Sequence, residues 1–153
     1  MPENVPKEQI EQSIKQEFER TLADRVARHL QMSSCNFAPS AQFSAASFEC
    51  SLLFRDGYFY ACIALSQSIA DSLVRFFCHK NGWEASKNFQ ANVEKLCVRG
   101  IISDKAGKVL VKIWEKRNDY YNLNPNLAPD RRALEDLARE KIRLLAEAEK
   151  EIY

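Results

Sequence analysis

The chain of 153 residues is poor in backbone punctuation, with four glycines and five prolines, and it has only two histidines. Scarce turn residues argue against a many-stranded fold, whose hairpins and bends draw on glycine and proline. No glycine-rich run opens a helix, which excludes a phosphate loop, and no strand-turn-helix setting presents a nucleophilic serine. Two histidines cannot furnish a multi-histidine metal centre within one subunit. Cys35, Cys50, Cys62, Cys78 and Cys97 include no close pair with zinc-ligand spacing, so neither metal nor cofactor is expected. An odd cysteine count, with no disulfide-dense pattern and no secretory leader, predicts thiols that pack as small hydrophobes in a reducing, cytoplasmic setting. A charge surplus is missing too: 22 basic against 21 acidic side chains leave a net charge of +1. That field is too weak for long-range capture of nucleic acid or anionic membrane, although a few positioned cations can still hold a phosphate. Polar side chains interrupt the apolar pieces before they reach a membrane span, so no membrane partner is expected.

What is present is helical periodicity. The length suits a single all-helical domain over 1–153 with a flexible extreme N-terminus, and 46% hydrophobic residues can supply its core. After Pro6, the residues Ile10, Ile14, Phe18, Leu22, Val26 and Leu30 recur every four positions, a stripe that drifts round one helix. SSCNFAPSAQ breaks that helix, a second runs from about Phe43 to Phe54, and Asp56-Gly57 turns the chain. A long central helix follows from Tyr58 to the Asn81-Gly82 stop, largely apolar around its circumference. Ser86 is read as the cap of a short helix that buries Leu96 and Val98, and Ser103 as the cap of one that continues through Asn122. Pro125 and Pro129 interrupt helicity, and Asp130 caps a last helix striped by Leu134, Ala138, Ile142, Leu145, Ala148 and Ile152. The fold class is all-α, a bundle of five or six helices.

Two groups of polar residues stand out against this apolar background. Gln67, Asp71, Arg75 and His79, four apart, form a polar seam along the central helix. In KRNDYYNLNP, residues 116–125, Arg117 and Tyr121 share one helical face, while Asn118 and Asn122 form an adjacent pair. Arginine can hold a phosphate in bidentate geometry, asparagine can donate and accept, and tyrosine can stack on a base, which makes RNA or a nucleotide phosphate a natural guest. The candidate ligand-binding residues are therefore Arg117, Asn118, Tyr121, Asn122, Asp71 and Arg75. His79 and Arg117 are the candidates for catalysis if the seam meets Arg117. The same residues could instead serve the fold alone: Arg117 could pair with Asp71 or Asp119, Asp71 with Arg75, and the asparagines could tie off a helix end.

The stretch Arg117-Asn118-Asp119-Tyr120-Tyr121-Asn122, followed by Leu123-Asn124-Pro125, resembles the HEPN family of small all-helical proteins. The resemblance implies an HEPN-like bundle that forms a homodimer, with the arginine motif lining a cleft between subunits. In that family it also implies metal-independent RNA cleavage, or a toxin paired with a nucleotidyltransferase-like antitoxin. The family pattern is an arginine, a polar residue, and a histidine five positions after the arginine. Arg117 and Asn118 match, but Asn122 stands where the histidine would be. In such a ribonuclease an RNA 2′-hydroxyl attacks the adjacent phosphate while histidine moves a proton. Asn122 has no group that titrates near neutral pH, so the proton needs another carrier, such as His79 or a residue of a second subunit. The expectation is thus a dimeric module that recognises RNA or nucleotide phosphate. The alternatives are an atypical metal-independent endoribonuclease and a non-catalytic module that binds an antitoxin or another protein.

Overall fold

The computed structural model describes residues 5–32 and 40–153, so the expected flexible extreme N-terminus, Cys35 and most of the first helix breaker lie outside the described residues. Every regular element among the described residues is helical: α1 (Lys7–Gln31), α2 (Ala41–Asp56), α3 (Phe59–Lys80), α4 (Phe89–Val98), α5 (Asp104–Trp114), α6 (Arg117–Tyr120) and α7 (Arg131–Ile152). The chain divides into two units, residues 1–31 and residues 32–153.

In the first unit α1 forms where Lys7, Glu8 and Gln9 supply good helix formers behind Pro6, whose carbonyl accepts the Gln9 and Ile10 amides. Its four-residue stripe does not become a core face. Ile10, Ile14, Phe18, Leu22, Val26 and Leu30 are all exposed, Leu30 at 80%. A four-residue step exceeds one helical turn by about 40°, so the row winds round the helix instead of presenting one flat face.

The second unit is built round α3, which touches α2, α4, α5, α6 and α7. Its apolar circumference explains that position: Phe59, Ile63, Ile69, Ala70, Leu73, Val74 and Phe77 are buried on several sides of one helix. By length and composition alone α3 could also cross a membrane, with a mean hydropathy of 1.3, so the polar interruptions do not exclude a span as the sequence reading had it. Over half of that window is packed inside the bundle. Helix boundaries follow local chemistry. Ser40 caps α2 through the Phe43 amide, and Gly57, in the left-handed region at φ 86°, ends α2 at the anticipated Asp-Gly turn. Ser103 and Asp130 cap α5 and α7 as read from the sequence, accepting from the Ala106 and Ala133 amides.

Three local expectations need correction. The cap of α4 is Asn88, which accepts from the Ala91 amide at 3.0 Å. Ser86 instead ties the preceding loop to buried Asn92: its amide and hydroxyl both donate to Asn92 Oδ1, and the Asn92 amide donates back to the Ser86 carbonyl. Val98, expected inside, is 86% exposed because α4 ends there and the left-handed turn at Gly100 leads the chain away. The helix from Ser103 does not continue to Asn122: it stops at Trp114, Glu115 is extended, Lys116 turns through φ 63°, and α6 begins at Arg117.

The stripe of α7 is as expected, with Leu134, Ala138, Ile142, Leu145 and Ala148 buried and Ile152 partly so. Among them sits an unanticipated lysine. Lys141 is 2% exposed, and its ammonium donates to the carbonyls of Lys112 at 2.6 Å and Glu115 at 3.3 Å. A cation from α7 thus closes the C-terminal end of α5, where unpaired carbonyls and the helix dipole both favour positive charge. Burial lowers the Lys141 pKa from the ordinary lysine value.

Candidate functional site

The break after α5 sets the site. Non-glycine residues in the left-handed region cost about 1–2 kcal/mol each, and this segment holds two, Lys116 and Leu123. Both ends of the segment are tied down. On the near side the Glu115 carbonyl accepts from the Gln67 amide of α3 at 3.1 Å as well as from Lys141 of α7. On the far side the Asn124 amide nitrogen donates to Asp119 Oδ1 at 3.0 Å, and the Asn124 side-chain oxygen accepts from the Asn126 amide. Tyr120 points into the core beside Tyr60, with ring centroids 6.3 Å apart, and burial raises the pKa of its phenol.

What remains outside is the Arg117–Tyr121 pair, on one face as the spacing requires. The Arg117 guanidinium carbon lies 4.4 Å from the Tyr121 ring centroid and 4.6 Å from that of Trp114. Phe89 stacks on Trp114 at 4.3 Å, nearly parallel, so the half-buried arginine joins a pile of three rings. Such cation–π contacts contribute about 0.5–1 kcal/mol each at partly exposed sites, and they hold the guanidinium plane without consuming its N–H donors. Arg117 makes no hydrogen bond or ion pair among the described residues. Neither Asp71 nor Asp119 pairs with it: Asp71 holds Arg75 at 3.0 Å, and Asp119 holds Asn124.

Asn118 and Asn122 bond to each other at 3.1 Å, one amide donating to the other's side-chain carbonyl. The remaining amide group and carbonyl of the pair have no protein partner among the described residues, so one donor group and one acceptor flank the arginine. The other candidates lie elsewhere. His79 is exposed in the last turn of α3, on a groove of 490 Å³ that Phe43, Ser72, Arg75 and Phe76 also line. Gln67 lies opposite Glu115 and Tyr60 opposite Tyr120, so α6 runs toward the start of α3. His79 is displaced from Gln67 the other way, by about 18 Å along the helix axis at roughly 1.5 Å per residue. Within one chain His79 and the arginine form two places, while Gln67, at the other end of the seam, reaches the carbonyl two residues before the arginine.

Sequence reasoning missed Trp114, Phe89 and the paired grip on the Glu115 carbonyl. Trp114 lies three residues before Arg117, a spacing that would place the two on neighbouring helical faces, and that was the available signal for the stack. Nothing local foretold Gln67 or Lys141, which arrive from distant helices. No cluster of histidine, cysteine, aspartate and glutamate among the described residues could hold a metal ion. The four described cysteines are free thiols; burial raises the Cys78 and Cys97 pKa values, so neither has the depressed pKa of an activated nucleophile.

Fold and site together define an all-α helical bundle with, at an outer turn, an aromatically stacked arginine that has no acceptor among the described residues. Comparison with protein families, with curated proteins and with solved structures finds no match.

Proposed function

We propose that the Arg117–Asn122 segment recognises a phosphate of RNA or of a nucleotide, in an HEPN-like module that works as a homodimer with this segment lining a cleft between subunits. One observation carries the reading: the Arg117 guanidinium lies between Trp114 and Tyr121 while its N–H donors have no acceptor among the described residues. Asp71 and Asp119, the carboxylates that could have held the arginine for the fold alone, bond to Arg75 and Asn124 instead. Tyr121 is 45% exposed and offers aromatic surface to a base, and the Asn118–Asn122 pair offers a donor group and an acceptor beside the phosphate. The chemistry favours recognition over cleavage, because Asn122 cannot shuttle a proton and His79 is remote within the same chain.

The test is fluorescence anisotropy with short single-stranded RNA and with nucleotides at several salt concentrations. Arg117→Ala should weaken binding about tenfold or more, since a charge-assisted hydrogen bond contributes roughly 1.5–3 kcal/mol. Arg117→Lys, which keeps the charge but loses the planar fork, should recover only part of it. Wild-type protein that binds neither RNA nor nucleotide at low salt, or binding indifferent to Arg117→Ala, would overturn the reading.

A further inference from the structure

The arginine site makes no use of α1. All six members of its stripe are exposed, from 44% at Leu22 to 80% at Leu30. A row at four-residue spacing is an i, i+4 ridge, and such ridges pack into the grooves between like ridges on a second helix. A helix that leaves its apolar row in water forgoes the packing that supplies most helical stability.

The charges say which helix fits. Between Lys7 and Glu19 two lysines face four glutamates, Glu8, Glu11, Glu17 and Glu19, while from Arg20 to Gln31 exposed Arg20 and half-buried Arg25 stand against Asp24, Arg28 being buried. An acidic half followed by a basic half is complementary to a second copy of itself when the two run antiparallel. A parallel pair would set acid on acid and base on base. The stripe has the same symmetry: reversed about Arg20, Phe18 falls opposite Leu22 and Ile14 opposite Val26, while the winding of the row carries Ile10 and Leu30 off the shared face.

We propose that α1 is a self-pairing arm that docks antiparallel on the α1 of a second copy of this chain, the middle of the apolar ridges in contact about Phe18 and Leu22 and the oppositely charged halves facing one another. This pairing rests on the stripe and its charge order, and it stands apart from the arginine reading. The experiment is sedimentation of the full chain over a wide concentration range, repeated at high salt. A dimer weakened by salt is expected, and Phe18→Glu with Leu22→Glu should raise its dissociation constant about 100-fold or more by removing the central apolar contacts. Circular dichroism checks that the exposed substitutions leave the helices intact. Orientation is read with Cys35→Ser and Cys97→Ala in the background: chains carrying Ile14→Cys mixed with chains carrying Val26→Cys should join through a short bis-maleimide, and neither should join to itself. A monomer at the highest concentration, a dimer indifferent to the double substitution, or Ile14→Cys chains that join to one another would each overturn the proposal.

Discussion

Gly107 is where α4 and α5 come closest, and it offers a sharp test of the packing. A Cβ built there would lie 2.5 Å from Cys97 Sγ and 3.2 Å from Val93 Cγ1. Ordinary contacts between such atoms fall near 3.5–4 Å, so the sulfur overlaps by roughly 1 Å and the valine methyl by a few tenths. Helix propensity alone would make Gly107→Ala stabilising by about 1 kcal/mol. Overpacking in a well-filled contact costs about 1–3 kcal/mol, and relief here requires Cys97 to rotate away from the Ser103 carbonyl while Val93 also shifts. The expected balance is a net loss of about 1 kcal/mol, a fall in melting temperature on the order of 4 °C for a unit of this size. Cys97→Ala removes the offending atom, so the double variant should lose less than the sum of the two single changes, with a coupling of about 1 kcal/mol or more. Urea unfolding of the four proteins in one buffer measures this. A Gly107→Ala protein as stable as the wild type, or strictly additive effects, would show that the two helices do not meet at this distance.

Three further outcomes follow from the same geometry. Lys141→Met should destabilise by about 1 kcal/mol near neutral pH, because the orphaned Lys112 carbonyl outweighs the relief of a buried charge. In the wild type the native state sheds its Lys141 proton before the unfolded state does, so stability attributable to this residue rises between its lowered pKa and 10.5. The gap between wild type and Lys141→Met should therefore widen from pH 7 toward pH 10.5; a gap that narrows over that range in denaturant titrations would contradict the burial argument. Asn88→Ala should cost about 1 kcal/mol through loss of the α4 cap, seen as earlier thermal unfolding and faster amide exchange at Ala91, whereas a neutral result would move the cap elsewhere. His79→Ala should change RNA affinity by no more than about twofold, as an exposed residue remote from the guest does, and a loss matching that of Arg117→Ala would join the two places that the structure separates.

The helices were legible wherever local chemistry sets them. Ser103 and Asp130 announce α5 and α7 because a capping side chain acts within three residues, and Asp56-Gly57 ends α2 for the same short-range reason. Asp71–Arg75 and Asn118–Asn122 were read correctly because four-residue spacing on a helix fixes their proximity. What escaped was decided between helices. The break at Glu115 and Lys116 depends on Gln67 and Lys141, respectively 48 and 26 residues away along the chain from Glu115. Ser86 was a sound capping residue by type, yet a buried Asn92 claimed it and left Asn88 to cap α4. The stripe on α1 was legible as periodicity, but a pattern shows which side chains would pack together without supplying what they pack against. At the site, Arg117 and Tyr121 were visible from spacing, but Trp114 and Phe89 needed the folded chain.

The Glu115 carbonyl, held jointly by a neutral amide and a buried ammonium, has a bearing on how evolution or design can alter the arginine fork. Its aim is set by a joint in the main chain whose two clasps come from α3 and α7, so affinity for the proposed phosphate guest would drift through changes in the interior that never meet it. A library confined to surface positions around residue 117 would overlook the two interior positions best placed to swing the fork.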